Sequence, residues 1–220
     1  MQRVRNVLLK SSKGILQRHR RFSSQQVKMA VQDLDLIKIL QSEINHELSS
    51  KSKIDESGSL GDFVLEWDSP ITRDVVLRKK SESGEEVAIS ALLGRQIFEA
   101  NSKFPSATDI KMKVCIKKPG LGSILQFDCG VSSGGEDTSG FNVQNAYYIQ
   151  STSCLSSSSY RGPLFRDLDP RLQDELKRYL EARGIGESLL NFLILHLQKK
   201  EKGQYVNWLH KLESAVGQNE

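Results

Sequence analysis

The sequence predicts an α+β domain in which an N-terminal helix is followed by an antiparallel sheet and then by further helices. Three observations support this fold class. Apolar residues recur at helical spacing over 31–50, alternate with polar residues between 61 and 150, and return to helical spacing over 169–216. Helices and strands that occupy separate parts of a chain form an antiparallel sheet with helices on one side. The 220 residues suit one domain with a sizeable core.

The first 22 residues differ in charge from the rest of the chain. They hold seven Lys or Arg residues and no acid, and the other 24 basic and 27 acidic residues leave the remainder at −3. An arginine- and serine-rich leader without acids is typical of a transit peptide, here mitochondrial because arginine dominates. In RHRRFSS, Arg20 two residues before Phe22 predicts cleavage before Ser23. The alternative is a basic arm that binds nucleic acid.

Residues 23–60 are expected to form an N-terminal helix and a flexible connector. Three- and four-residue spacings, as on one face of a helix, join Leu34, Ile37, Leu40 or Gln41, Ile44 and Leu48. The following stretch, SSKSKIDESGSLG, is polar and rich in serine and glycine, which is typical of a linker. The α+β domain is therefore assigned to residues 61–216.

Six stretches between positions 61 and 149 alternate apolar and polar residues, as half-buried strands do. They are FVLEW, RDVVLRKK, EEVAISALL, IKMKVCIKK, SILQFDC and FNVQNAYYI. Short connections such as SESG and KPGLG favour an antiparallel meander. Strict alternation places two sets of residues on a common face within their own strands: Phe63, Leu65 and Trp67 in the first, and Phe141, Val143, Tyr147 and Ile149 in the last.

The fourth of these stretches carries a row of lysines. Lys111, Lys113 and Lys117 alternate with apolar residues and therefore share one face of the strand. Such a basic stripe is a candidate RNA contact. The alternative is the solvated face of an ordinary strand, with nearby acids such as Glu86 and Asp137 diluting the positive field.

Two helices are expected at the C-terminal end. Asp169 suits the N-cap of the first helix, Pro170 suits its first position, and Gly184 suits its end. Seven of the nine residues from Leu189 to Leu197 are apolar, so this part of the second helix should be buried almost all round.

Beyond residue 200 the apolar stripe of the second helix narrows, and Gly203 is where this helix is expected to kink or divide. Leu193, Tyr205, Trp208 and Leu212 are the candidate subunit or helix-packing contacts. One sheet and three amphipathic helices leave more apolar surface than one small subunit covers, so self-association is expected.

No grouping of residues predicts catalysis, a metal site or a cofactor. The four histidines lack zinc-binding spacing, and there is no G-x-S-x-G nucleophile motif. Cys115, Cys129 and Cys154 are odd in number and lack a C-x-x-C motif, which favours buried thiols in a reducing compartment. No apolar stretch approaches the 20 residues of a membrane-spanning helix. The chain is therefore not expected to be an enzyme.

The C-terminal region, from YRGPLFRDLDPRLQDELKRYLEARGIG to the stretch NWLHKLESAV, resembles the mitochondrial glycoprotein family, also called the mitochondrial acidic matrix protein family. GPLFRDLDPRLQDELKRYLEARGI is similar to the signature of its plant members, and FVLEW and RDVVLRKK resemble the first sheet segments. The resemblance covers roughly residues 30–216, and the leader agrees with the family's mitochondrial location.

The resemblance implies a twisted antiparallel sheet of seven strands, with one N-terminal and two C-terminal helices on one side, in a ring-shaped homotrimer. It implies no catalytic residues and no cofactor. Two features depart from the family pattern. The charge outside the leader is only −3, with short acidic loops, and six strands are evident where the family has seven. Residues 95–104 are the candidate segment for the seventh.

The resemblance implies a role in oxidative phosphorylation or in mitochondrial translation, and two functions are therefore expected. The first is a non-catalytic, chaperone-like scaffold of the mitochondrial matrix that binds other mitochondrial proteins and supports oxidative phosphorylation or respiratory-complex expression and assembly. The alternative is a factor of mitochondrial translation that binds RNA or the mitochondrial ribosome, for which the lysine row is the candidate contact.

Overall fold

A computed structural model describes residues 24–50, 58–94, 108–133, 140–150 and 160–217. The predicted cleavage residues Arg20, Phe22 and Ser23 lie outside the described residues. So does the segment 95–104, the candidate for a seventh strand.

The described elements form one N-terminal helix, a six-stranded sheet and two C-terminal helices. Helix α1 is Ser24–Ser49, and the strands are β1 (Val64–Asp68), β2 (Asp74–Lys80), β3 (Glu86–Leu93), β4 (Thr108–Lys117), β5 (Ile124–Ser133) and β6 (Gly140–Ile149). A 3₁₀ turn (Phe165–Asp167) leads to α2 (Pro170–Glu181) and α3 (Glu187–Gly217). The strands pair antiparallel in sequence order, from β1 to β6. The predicted α+β class and the meander are confirmed.

One face of the sheet carries the main core. Cross-strand register aligns two rows of buried side chains there: Val75, Ala91, Met112 and Cys129, and Leu77, Ile89, Val114 and Phe127. Leucines from the C-terminal helices and an isoleucine from the connection between them complete the same cluster: Leu180, Ile185, Leu189, Leu190, Leu193 and Leu197. Burial of this apolar surface is the main driving force for folding.

Helix α1 packs on α3 in a second, smaller cluster. Leu40 and Ile44 of α1 are buried against Leu209 of α3, with Val206 and Leu212 packed around them. The predicted N-terminal helix is therefore confirmed, and α3 is the helix that it packs against.

Strands β1 and β6 depart from strict alternation because a β-bulge interrupts the pairing of each with its neighbour. In β1 the register shifts between Leu65 and Trp67, so that Leu65 pairs with buried Leu77 while Trp67 pairs with Val76 on the opposite face. The prediction that Leu65 and Trp67 share a face was wrong. An extra residue in one strand of a pair reverses the facing of every residue after it.

A second bulge affects β6. Val143 pairs with buried Cys129, but the next pair joins Asn145 to Asp128 on the open face, so Tyr147 also lies on that face. The predicted alignment of Val143 with Tyr147 and Ile149 was therefore wrong.

Helix α2 begins with the predicted cap, and the corner between α2 and α3 follows its last residue. Asp169 Oδ1 accepts a hydrogen bond from the Arg171 backbone N–H at 2.9 Å, and Pro170 occupies the first turn. Gly184 has φ +87°, a left-handed conformation that glycine adopts without strain, and Ile185 turns into the core. The expected division of α3 at Gly203 was wrong, since the helix is continuous from Glu187 to Gly217.

An ion pair fastens this corner to the sheet. The Arg183 Nε and Nη2 atoms lie 2.8 and 2.9 Å from the two carboxylate oxygens of Glu85 in the β2–β3 turn. The guanidinium also stacks on the ring of Tyr179, with Cζ 3.4 Å from the ring centroid. Two-point contact of this kind fixes orientation as well as distance.

Gly58 marks the place where the chain enters the sheet by crossing α3. A Cβ built on Gly58 would lie 2.2 Å from the backbone N of Phe192, and the Ser59 N–H donates to Ser188 O at 3.2 Å. Gly58→Ala should therefore destabilise the protein by about 1–3 kcal/mol, because backbone has to move. Urea unfolding measures this loss.

Gly122→Ala is the matched control for Gly58→Ala. No atom in the described part of the chain lies within 4 Å of an added Cβ at Gly122. Its unfolding midpoint should stay at the parent value or rise slightly, because alanine reduces the freedom of the unfolded chain. Equal losses in the two variants would contradict close packing at Gly58.

Candidate assembly and binding surfaces

The paired helices α1 and α3 expose a set of large apolar side chains. This helical apolar surface comprises Val31, Leu34, Leu36, Ile39 and Leu48 of α1 and Tyr205 and Trp208 of α3. Trp208 is 51% exposed and its ring lies 6.0 Å from that of Tyr205, centroid to centroid. Tyr205 also donates through its hydroxyl to Glu43 Oε1 at 3.2 Å, which fixes the ring beside α1. Because the Tyr205 and Trp208 rings stack on each other, this part of the helical apolar surface is contiguous, as interaction sites usually are.

The four predicted subunit or helix-packing residues fall into three environments. Leu193 is fully buried between α3 and the sheet, so it packs within the chain. Leu212 is half-buried in the α1–α3 cluster. Tyr205 and Trp208 are exposed and belong to the helical apolar surface. Of the four, the last two are therefore the residues available for contact with another molecule.

The three predicted RNA contacts lie together on the open face of the sheet. Lys111, Lys113 and Lys117 are exposed on β4, while the residues between them point into the core or lie half-buried. The alternation inferred from the sequence therefore places these lysines on a common face, near the centre of the sheet.

Acidic residues of the neighbouring strands face these lysines. Lys117 is paired in register with Glu86 on β3, and Lys113 with Asp128 on β5. The hydrogen bond and charge of Lys80 lower the pKa of Glu86, and Arg78 and Lys117 add smaller effects in the same direction. The open face is therefore a mixed-charge surface rather than a uniformly positive one.

A polar cluster joins β1 to α3, and the sequence patterns did not indicate it. Asp68 contacts His196 Nε2 at 2.7 Å through one carboxylate oxygen and accepts from Lys200 Nζ at 2.5 Å through the other. Burial alone raises the pKa of the Asp68 carboxyl, but the hydrogen bonds from Lys200 and His196 outweigh that effect and hold the pKa below its usual range. We call these three residues the Asp68 cluster.

The connection between β1 and β2 is held on α3 beside this cluster. Lys200 also donates to the Asp74 carbonyl at 2.8 Å, and Gln204 donates to the carbonyls of Pro70 and Thr72 at 2.9 and 2.7 Å. The only sequence signal was the spacing of His196, Lys200 and Gln204, four residues apart and therefore on one helix face. The partner Asp68 lies 128 positions from His196, beyond the reach of local patterns.

Neither a metal centre nor a membrane span is found in the part of the chain that the structure describes. Within these ranges, no three His, Cys, Asp or Glu side chains are grouped as metal ligands. None of the described helices combines the length and apolarity needed to cross a bilayer.

Comparison with models of protein families shows which family the chain belongs to. The model of the mitochondrial glycoprotein family (MAM33) matches residues 40–216, which include the C-terminal part of α1, the whole sheet and both C-terminal helices. The chain belongs to the mitochondrial glycoprotein family. The resemblance inferred from the C-terminal signature is thereby confirmed.

Two relatives with mitochondrial names align with this member of the family. The mitochondrial acidic protein mam33 of Schizosaccharomyces pombe is 31% identical over 137 residues, which are 56% of this chain and 49% of that protein. The mitochondrial protein At2g39795 of Arabidopsis thaliana is 27% identical over 193 residues, which are 83% of this chain and 74% of that one. The aligned region thus spans about half the length of the yeast relative.

Two solved structures share the fold of this family member. The p22 protein of Trypanosoma brucei superposes with a TM-score of 0.66 at 20% identity, covering 85% of this chain and all of that one. A Leishmania major protein, named as a sequence homologue of human p32, gives 0.64 at 19% identity, covering 84% of this chain and 99% of that one. The fold is therefore p32-like.

Proposed function

We propose that this member of the mitochondrial glycoprotein family is a non-catalytic scaffold of the mitochondrial matrix, assembled as a ring-shaped homotrimer. The observation that carries the proposal is the helical apolar surface, since Tyr205 and Trp208 are exposed aromatic side chains of α3, which already packs against α1. Aromatic residues dominate the energetics of protein interfaces. Joining copies through these helices leaves the open face of each sheet free for chaperone-like contact with other mitochondrial proteins.

The proposed role is support of oxidative phosphorylation through respiratory-complex expression or assembly. The leader supports a mitochondrial destination, with residues 1–22 removed before Ser23. The names of the yeast and Arabidopsis relatives also support that destination. A scaffold without a catalytic centre acts through its surfaces, so partner binding is the property to measure.

Protein purified from intact mitochondria tests the assembly and the leader together. We expect an N-terminus at Ser23 and a sedimentation mass of three subunits, with respiratory-complex subunits or their assembly factors retained on the purified protein. A single-subunit mass would contradict the trimer, and an intact leader would contradict cleavage at Ser23. Ribosomal proteins and RNA in place of respiratory subunits would favour the alternative function.

The alternative, RNA or ribosome binding in mitochondrial translation, rests on the exposed lysine row of β4. Replacing Lys111, Lys113 and Lys117 by glutamate should abolish crosslinking of RNA to the open sheet face if this function is correct, because phosphate contacts depend on positive charge. Ultraviolet crosslinking to labelled RNA measures the effect.

A second triple charge reversal provides the control for this test. Arg166, Arg171 and Lys177 lie on the 3₁₀ turn and α2, away from β4, and their replacement by glutamate makes the same change in net charge. Crosslinking that survives the β4 reversal, or falls equally in both variants, would contradict a specific RNA contact at β4.

A further inference from the structure

Gly203 occupies the interior of α3 without a packing reason inside the chain. It is far from both ends of the helix Glu187–Gly217, and an added Cβ would meet no atom within 4 Å. Glycine is the least favourable residue after proline in a helix interior. No described neighbour therefore requires a glycine at position 203, and open space lies beside this residue.

The space beside Gly203 is a cavity of about 530 Å³ between α3 and the end of β1. This volume lies within the range of small-molecule sites, about 300–1,000 Å³. The cavity is lined by the Asp68 cluster, which includes Lys200, and by Lys199, Gly203 and Asn207. Any side chain larger than glycine at position 203 would take up part of this volume.

The charges around the cavity favour an anion. Among the described residues Asp68 is the one carboxylate that lines the cavity, and it is already engaged by His196 and Lys200. Lys199 is exposed and, among the described residues, makes no hydrogen bond or ion pair, as is also true of Asn207. Within the described ranges, the cavity therefore offers a free ammonium and a free amide donor, with no uncompensated negative charge.

The part of the cavity wall formed by α3 and the β1–β2 connection is already ordered. Gln204 and Lys200 hold the β1–β2 connection through its carbonyls, and the imidazole of His196 stacks on Phe192 at 5.4 Å between ring centroids. A site whose walls are fixed before binding loses less entropy when a ligand enters.

We infer that this cavity binds a small organic or inorganic oxyanion, a carboxylate or a phosphate. Lys199 Nζ supplies the charge, Asn207 supplies a second donor, and Gly203 leaves the room that the ligand occupies. The inference concerns a site on the sheet side of α3 and goes beyond the proposed scaffold function.

Isothermal titration of the full chain with succinate and, separately, with inorganic phosphate at constant ionic strength tests the site. We expect saturable binding of at least one probe, at one site per chain, and the probe that binds identifies the carboxylate or the phosphate as the ligand group. Gly203→Leu should weaken binding by about tenfold or more because leucine fills the cavity, while its helix content stays at the parent level. Lys199→Gln should weaken binding by about tenfold through loss of a charge-assisted hydrogen bond.

Lys211→Gln is the matched control, since Lys211 is an exposed lysine of the same helix outside this cavity. It should bind the probe as the parent does. The inference is overturned if neither probe binds saturably, if Gly203→Leu binds undiminished, or if Lys211→Gln weakens binding as much as Lys199→Gln. A change in sedimentation mass of Gly203→Leu also overturns it, because Gly203 would then be a subunit contact.

Discussion

Leu193→Asp should leave the chain unable to fold. Leu193 is 0% exposed and lies in the cluster formed by α3 and the core face of the sheet. An unpaired carboxylate there costs several kcal/mol in addition to the lost apolar contacts. Single domains are stable by only about 5–15 kcal/mol, so this loss approaches the whole free energy of unfolding. Circular dichroism and urea unfolding measure the outcome.

Two controls separate the charge from its position. Leu193→Met keeps the volume and the apolar character, so it should cost less than about 1.5 kcal/mol. Leu172→Asp places the same carboxylate on α2 at a side chain that is 47% exposed, where the change should stay within about 0.5 kcal/mol. A Leu193→Asp variant with the parent's unfolding midpoint would show that this part of α3 does not lie in a dry core.

Replacing both Tyr205 and Trp208 by glutamine should separate the proposed trimer into folded single subunits. Truncating a central aromatic residue of an interface costs about 2 kcal/mol or more, so two such losses weaken association about a thousandfold. Glutamine is a good helix former and is neutral, and both replaced side chains are exposed in the single chain. Sedimentation mass should therefore fall while the circular dichroism spectrum and the unfolding midpoint of the subunit remain.

The matched control replaces two exposed apolar residues away from α1 and α3. Leu121 and Leu172 are exposed to a similar extent as Trp208, and their double replacement by glutamine should leave the mass at three subunits. If the aromatic pair is replaced and the mass does not change, the helical apolar surface is not the subunit contact. If the variant unfolds instead, the aromatic pair stabilises the α1–α3 packing.

The sequence predicted the strands well and their faces less well. Each of the six alternating stretches overlaps a strand, because a half-buried strand must alternate whatever it pairs with. The errors at Trp67 and Tyr147 both follow a bulge, where one strand has an extra residue relative to its neighbour. A bulge is a property of the pair, so alternation within one strand does not reveal it.

Some features of the candidate sites were evident from local sequence patterns, and others became evident only in the structure. The lysine row of β4 was found because it obeys a local period, and its acidic neighbours Glu86 and Asp128 became evident only from the register. The Asp68 cluster depends on residues more than 100 positions apart, and no local pattern joins them. Gly203 looked like a helix break, but the helix continues past it and the glycine opens a cavity instead.

The sequence by itself determined the element types, their order, the start of α2 at Asp169 and the turn that follows α2 at Gly184. Hydrophobic periodicity, helix capping and the left-handed conformation of glycine each act over only a few residues. The sequence also determined that α3 has more apolar residues than a helix surrounded by water would have. Only the tertiary structure decided which of those apolar residues are covered. Leu193 lies under the helix against the sheet, whereas Trp208, farther along the same helix, is left exposed. The physical reason is that burial depends on where the sheet and α1 end relative to α3, and long-range packing sets those positions.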